Sequence, residues 1–183
     1  MHNRYAFVGG ESGRWRVLSL SAARGTALEP VNRIDVQPLA SGPQTRAGTW
    51  ILEGQISNLR YATRTEVMTL RQRQEPLGRP HARRAALIPI KKASAWWDLA
   101  QDERRAIFED QSHHTDVGLK YLPHIARQLY HCRDLGQPFD FLTWFEYAPE
   151  HVAAFEELVA RLRATPEWEY VEREVDVRLE WQE

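Results

Sequence analysis

Four of the seven histidines, His113, His114, His124 and His131, fall in the twenty residues that end at the only cysteine, Cys132. Imidazole and thiol groups can hold a metal ion, ligate haem iron or move protons near neutral pH. Spacing narrows these options. His113 and His114 are sequential, so on a helix they diverge by about 100° and cannot close on one ion. No His-x3-His pair shares a helical face, and His131 and Cys132 alternate across a strand. A single cysteine excludes an internal disulfide and any cysteine-based zinc site within one chain. A zinc or non-haem iron cluster is therefore disfavoured. One axial histidine on haem iron remains compatible, because it needs no second protein ligand. The competing assignment for each histidine is an ordinary surface or hydrogen-bonded residue. His2 and His81 fall in terminal or loop-like contexts and carry no role.

A haem site also needs an apolar slot, cations for the propionates and a residue facing the bound ligand. Lys91 and Lys92 end a strand beside Trp96 and Trp97, Arg127 begins a strand just past Pro123, and "FLTWF" supplies aromatic walls. The competing readings are core packing for the tryptophans and a solvated strand end for Lys92.

The elements that would position these residues are legible as periodicities. "VEREVDVRLEW" alternates Val171, Val175, Val177, Leu179 and Trp181 with charged residues, which predicts a strand with one buried and one wet face. "PEHVAAFEELVARLRA" places Phe155, Leu158, Val159 and Leu162 at helical spacing, with Pro149 where a first turn accepts it. "FDFLTWFEY" is a strand with Phe139, Phe141, Thr143, Phe145 and Tyr147 on one face, and "GQP" turns into it from the shorter strand "RQLYHCRD". "RAALIPIKK" is a strand with Pro89 near an edge or bulge, running into a helix "SAWWDLAQDERRAIFED" that Ser94 caps.

From Arg84 onward the order is strand, helical region, strand, strand, helix, strand, which is the split βαβ or ferredoxin-like pattern. The first 84 residues offer the strands "RYAFVGG", "RWRVLSLS", "TWILEGQIS" and "RYATRTEVMTL" and little helix. The chain thus divides into a reduced, strand-rich ferredoxin-like half at 1–84 and a fuller ferredoxin-like half at 85–183. A sheet with helices on one face must cover the other, and two such sheets packed face to face give an α+β barrel.

Composition sets outer bounds. A chain of 183 residues, 43% hydrophobic with seven tryptophans, can bury a sizeable core. A net charge of −1 argues against a nucleic-acid partner. No run is long enough to span a bilayer and the N-terminal stretch lacks a signal's apolar core, so a cytoplasmic protein is expected, or a periplasmic one if a leader is removed.

Three stretches, "KKASAWW", "HTDVGLKYLPHIARQLYHCRDLGQPFDFLTWFEY" and "LRATPEWEYVEREVDVRL", resemble the chlorite dismutases, haem b enzymes that convert chlorite to chloride and dioxygen. The likeness is good over roughly the C-terminal hundred residues and looser before them, and it points to the short, homodimeric branch of that family. It implies a dimeric α+β barrel with haem in the C-terminal half. His114 in "SHHTDVG" then matches the axial iron ligand, and Arg127 in "PHIARQLYH" matches the distal arginine. Glu167 in "ATPEWEYV" resembles the glutamate that accepts a hydrogen bond from the ligand imidazole, with Glu146 as the alternative. Lys92, Trp96, Trp97 and Tyr61 resemble residues that hold the propionates and haem edge.

The resemblance implies that Arg127 keeps a hypochlorite-level fragment in place until the O–O bond forms. Coproheme decarboxylases share the barrel, but with a glutamine-like distal residue and longer chains. Dye-decolourising peroxidases carry a distal aspartate motif that this sequence lacks. Peroxidase or decarboxylase activity, and a haem-free ferredoxin-like binding module, stand as the alternatives.

Overall fold

Eight strands close into one antiparallel barrel. The computed structural model describes residues 3–39, 47–56 and 63–182. Four strands come first, β1 (Arg4–Gly10), β2 (Trp15–Arg24), β3 (Arg33–Pro38) and β4 (Trp50–Gln55), followed by helix α1 (Arg64–Arg73). Strand β5 (Arg84–Lys92) leads into α2 (Ser94–Asp98), α3 (Gln101–Arg105), a π-helical turn at Ala106–Gln111 and α4 (His114–Leu119). Then come β6 (Ala126–His131), β7 (Phe141–Tyr147), α5 (Val152–Arg163), a 3-10 turn at Pro166–Tyr170 and β8 (Val171–Trp181).

Around the barrel the order is β1–β3–β2–β8–β5–β7–β6–β4, with β4 returning to β1. The first four strands form one arc, β4–β1–β3–β2, and the last four form the other, β8–β5–β7–β6. Within each arc the strands run fourth, first, third, second in chain order. The arcs are stitched unequally. β2 pairs with β8 from Trp15↔Trp181 to Arg24↔Glu174, whereas β4 meets β6 only at Gln55↔His131 among the described residues.

Strand alternation sorts the side chains into two layers. Phe7, Trp15, Ile34 and Leu52 meet Leu87, Trp144, Val177 and Leu179 inside the barrel. Outside the second arc, Ile88, Ile90 and Phe145 pack beneath Phe155, Leu158 and Leu162 of α5. Burying each such side chain contributes roughly 1.5–3 kcal/mol. The four residues expected on the buried face of α5 are all buried. Cys132 is a buried free thiol, and burial pushes its pKa up.

Six sequence expectations need correction. "RYATRTEVMTL" reads as a strand, but its described part contains α1, because Thr63 and Glu66 form a capping box with Glu66 N donating to Thr63 Oγ1 at 3.3 Å. β3 was not anticipated, since Ile34 and Val36 give too short an alternation. Ser94 does not cap the next helix; Ala93 does, without a side-chain bond. That helix also breaks at Leu99, where Arg104 donates to the freed carbonyls of Trp96 at 2.9 Å and Trp97 at 2.6 Å. Phe139 leaves the face of its strand-mates for the barrel core, because it precedes β7. The polar face of β8 is wet only in part: Glu172 is exposed, but Glu174 and Asp176 are 1% and 7% exposed beneath α5. Pro89 lies where the β5–β8 ladder skips, between Leu87↔Val177 and Ile90↔Glu174.

Candidate functional site

The outward face of the second arc and the helices over it enclose a largely apolar cavity of about 1250 Å³, its open mouth included. Register explains its floor. Arg127, Leu129 and His131 of β6 stand opposite Phe145, Thr143 and Phe141 of β7, and Ile88 and Ile90 of β5 continue the row. Phe108, His114, Tyr121 and Ile125 come from the helical crossover, and Leu158, Val159 and Leu162 from α5.

His114 is the first residue of α4, and His113 before it takes a left-handed conformation with φ 48°. That bend turns the chain out of the π-helical turn and sets the His114 ring against the cavity. Its Nδ1 lies 2.7 Å from Glu167 Oε2. Glu167 comes from the 3-10 turn before β8, where Pro166 suits a first helical position and Ser112 Oγ accepts from the Glu167 N–H at 3.0 Å. The other carboxylate oxygen, Oε1, accepts from Lys92 Nζ at 2.7 Å.

All three groups are secluded, with side-chain exposures of 4% for Lys92, 6% for Glu167 and 19% for His114. Burial pushes the Glu167 carboxyl up, but attraction to His114 and Lys92 outweighs it and holds the pKa at about 2. The ammonium of Lys92 also lies 4.5 Å from the Trp96 ring centroid and 5.5 Å from that of Trp168. The result is a hydrogen-bonded line, Lys92 to Glu167 to His114, that ends at the cavity wall. With Nδ1 committed to Glu167, Nε2 is the imidazole nitrogen left for a ligand.

Arg127 enters the same cavity from the start of β6. Its guanidinium has no hydrogen bond or ion pair to a described residue, although its backbone carbonyl accepts from Gln74 Nε2 at 2.8 Å. It counts as half-buried by surface area because the cavity is open space, yet protein surrounds it and burial pulls its pKa down. Arginine stays charged under such conditions, so the cavity holds an uncompensated cation.

The sequence-predicted residues are therefore distributed unevenly. His114, Arg127, Lys92, Trp96 and Glu167 all line the cavity. Trp97 does not; its ring is stacked on Phe141 at 6.0 Å, with the guanidinium carbon of Arg133 at 3.8 Å and that of Arg104 at 5.2 Å. Tyr61 lies outside the described residues. Glu146 is elsewhere, accepting from Trp144 Nε1 at 2.9 Å and the Gly78 N–H at 2.6 Å. Sequence reasoning missed Phe108, Trp168 and Glu174, which also line the cavity. For Trp168 the signal was its place next to Glu167 in "PEWEYV". No groups of three or more acidic, histidine or cysteine residues suited to a metal ion occur among the described residues.

A family model described as chlorite dismutase matches residues 49–179. The chain belongs to the chlorite dismutase family. A dimeric chlorite dismutase from Nitrobacter winogradskyi is 56% identical with a TM-score of 0.90, covering 96% of this chain and 99% of that one. The chlorite dismutase of Candidatus Nitrospira defluvii is more distant, 29% identical with a TM-score of 0.58 over 71% of this chain and 54% of that chain. Chlorite dismutase from Ideonella dechloratans is 35% identical over 86 residues, 47% of this chain and 28% of that protein, so the match spans less than a third of that relative. The family match includes every site residue named above, from Tyr61 to Glu174. No helix among the described residues is long and apolar enough to cross a membrane.

Proposed function

We propose that this chain is a haem b enzyme that converts chlorite to chloride and dioxygen, with His114 as the axial ligand and Arg127 as the residue that retains the anion. The observation that carries this reading is one apolar cavity holding both a backed imidazole and a guanidinium without a partner among the described residues. The residues fit the cofactor: the cavity walls are largely apolar, Lys92 and Arg127 bring cationic groups to it, and His114 keeps one ring nitrogen available. Haem iron, when bound, supplies the redox chemistry that breaks the Cl–O bond and joins the two oxygens of one chlorite.

The chain's residues do the rest. Lys92 keeps Glu167 ionised, Glu167 holds the proton on His114 Nδ1, and Nε2 is thereby presented as the more electron-rich donor. Trp96 contributes an aromatic edge to the cavity wall, and Trp97 backs that wall through Phe141. Arg127 supplies a permanent charge and fixed donors to a small anion that apolar walls alone would not hold. The same walls exclude water and confine the fragments between bond cleavage and bond formation.

The equal strand order of the two arcs supports reading residues 1–84 and 85–183 as ferredoxin-like halves, the first reduced and the second haem-binding. The dimeric relative supports a homodimer.

The test is an absorption spectrum followed by chlorite addition in an oxygen electrode. The parent should show a Soret band and evolve oxygen; His114→Ala should lose stable haem binding, and an unchanged Soret band would sink the assignment. Arg127→Ala should keep haem but release hypochlorite and bleach. Oxygen evolution as fast and durable as the parent's would remove the role of Arg127.

A further inference from the structure

The bond to Glu167 anchors the His114 ring at Nδ1 and the Cβ–Cγ link anchors it at Cγ, which leaves the tilt of the ring plane to be limited by what packs against its faces. Two aromatic rings restrict the tilt. Phe108 lies 4.3 Å from the imidazole centroid with 21° between planes, and Trp168 lies 6.5 Å away with 18° between planes. Trp168 is itself tied down. Its Nε1–H donates to Glu174 Oε2 at 2.7 Å. Glu174 Oε1 accepts from Arg163 Nε at 2.9 Å and Nη2 at 2.6 Å. Arg163 Nη2 donates also to Asp176 Oδ2 at 2.7 Å. A carboxylate 1% exposed, bonded on both oxygens, is a rigid mount for an indole.

We propose that Trp168, tied through Glu174 to Arg163, is a positioning residue that fixes the plane of the His114 ring. The inference rests on His114 being the haem ligand. Ring orientation matters because it determines how the imidazole π system overlaps the iron orbitals, a lever separate from the basicity that Glu167 supplies. Lys92, Glu167 and Trp168 thus divide the work: the first two set charge and proton, and the third sets rotation.

The experiment compares haem-loaded parent, Trp168→Leu, Trp168→Phe and Glu174→Gln by haem content, low-temperature EPR of the ferric state, and separate kcat and KM for chlorite. Trp168→Leu should retain haem, show broadened or doubled g values, and lose about tenfold in kcat with KM unchanged, the low end for outer partners of a metal ligand. Trp168→Phe, which keeps a ring but not the N–H, should shift in the same direction by less. Glu174→Gln offers one carbonyl oxygen to either the indole or Arg163 and sets an NH2 against the other donor. It should therefore loosen the mount and shift the g values in the same direction as Trp168→Phe. Parental g values in haem-loaded Trp168→Leu or Trp168→Phe would overturn the proposal. So would a folded Trp168→Phe that holds no haem, since the indole would then be a binding element. A parent Soret band that survives His114→Ala would instead overturn the ligand assignment beneath it.

Discussion

Glu167 is asked to stay ionised while almost fully buried, and Lys92 and His114 make that possible. Its folded pKa of about 2 lies below the ordinary 4.5, so its contribution to stability is fully present above pH 4.5 and fades as pH falls toward 2. A displacement of that size is worth on the order of 3 kcal/mol. Glu167→Gln should therefore unfold at lower denaturant than the parent near pH 6, and the gap should close between about pH 4.5 and 2. A gap that stays constant over that window would show that Glu167 is not held ionised by its partners. At this scale the sequence was most informative where a residue sits in a distinctive run, as His114, Arg127 and Glu167 do. Trp168 had only its place beside Glu167 as a signal, because its approach to the imidazole joins residues 54 positions apart. Phe108 lies six positions before His114, across a π-helical turn and a left-handed bend that periodicity does not foretell.

Helices and strands carry the site through contacts that periodicity describes only in part. The alternation in β8 is real, yet its charged row is covered in part by α5, and Arg163 and Arg178 supply the opposite charge. A pattern of apolar and charged residues cannot distinguish water from a buried guanidinium as the partner of a carboxylate. Breaking such a pair leaves the acids desolvated and unpaired. Arg163→Ala should cost on the order of 3 kcal/mol, or about 10 °C in Tm for a chain of this size. A thermal scan showing a loss below 2 °C would mean that solvent replaces the arginine without penalty. The same limit explains α1. Its Thr and Val residues favour strands in isolation, but the Thr63–Glu66 capping box satisfies first-turn donors and decides for helix. The broken helix after β5 is the converse case, since only Arg104 folding back onto Trp96 and Trp97 reveals why the break is tolerated.

At the level of the whole molecule, the barrel closes at two seams, of which β2–β8 is the longer among the described residues. The expected barrel is one continuous cylinder, because β2 joins β8 and β4 joins β6. The β4–β6 seam, with its single described pair, depends on close backbone approach at Gly54. A methyl group there would lie 2.6 Å from Tyr130 Cβ and 3.4 Å from Leu142 Cδ1. Tyr130 cannot yield easily, since its ring is wedged edge-on against Tyr5 at 5.4 Å and Phe7 at 5.1 Å. Gly54→Ala should therefore cost about 1–3 kcal/mol by overpacking, a fall of roughly 5 °C in Tm. Because β6 also carries Arg127, the same substitution should raise hydrogen exchange along β6 while leaving the long β2–β8 ladder protected. Equal acceleration in both seams would mean that the barrel opens as one unit, and that the site shares the stability of the whole wall rather than of the β4–β6 edge.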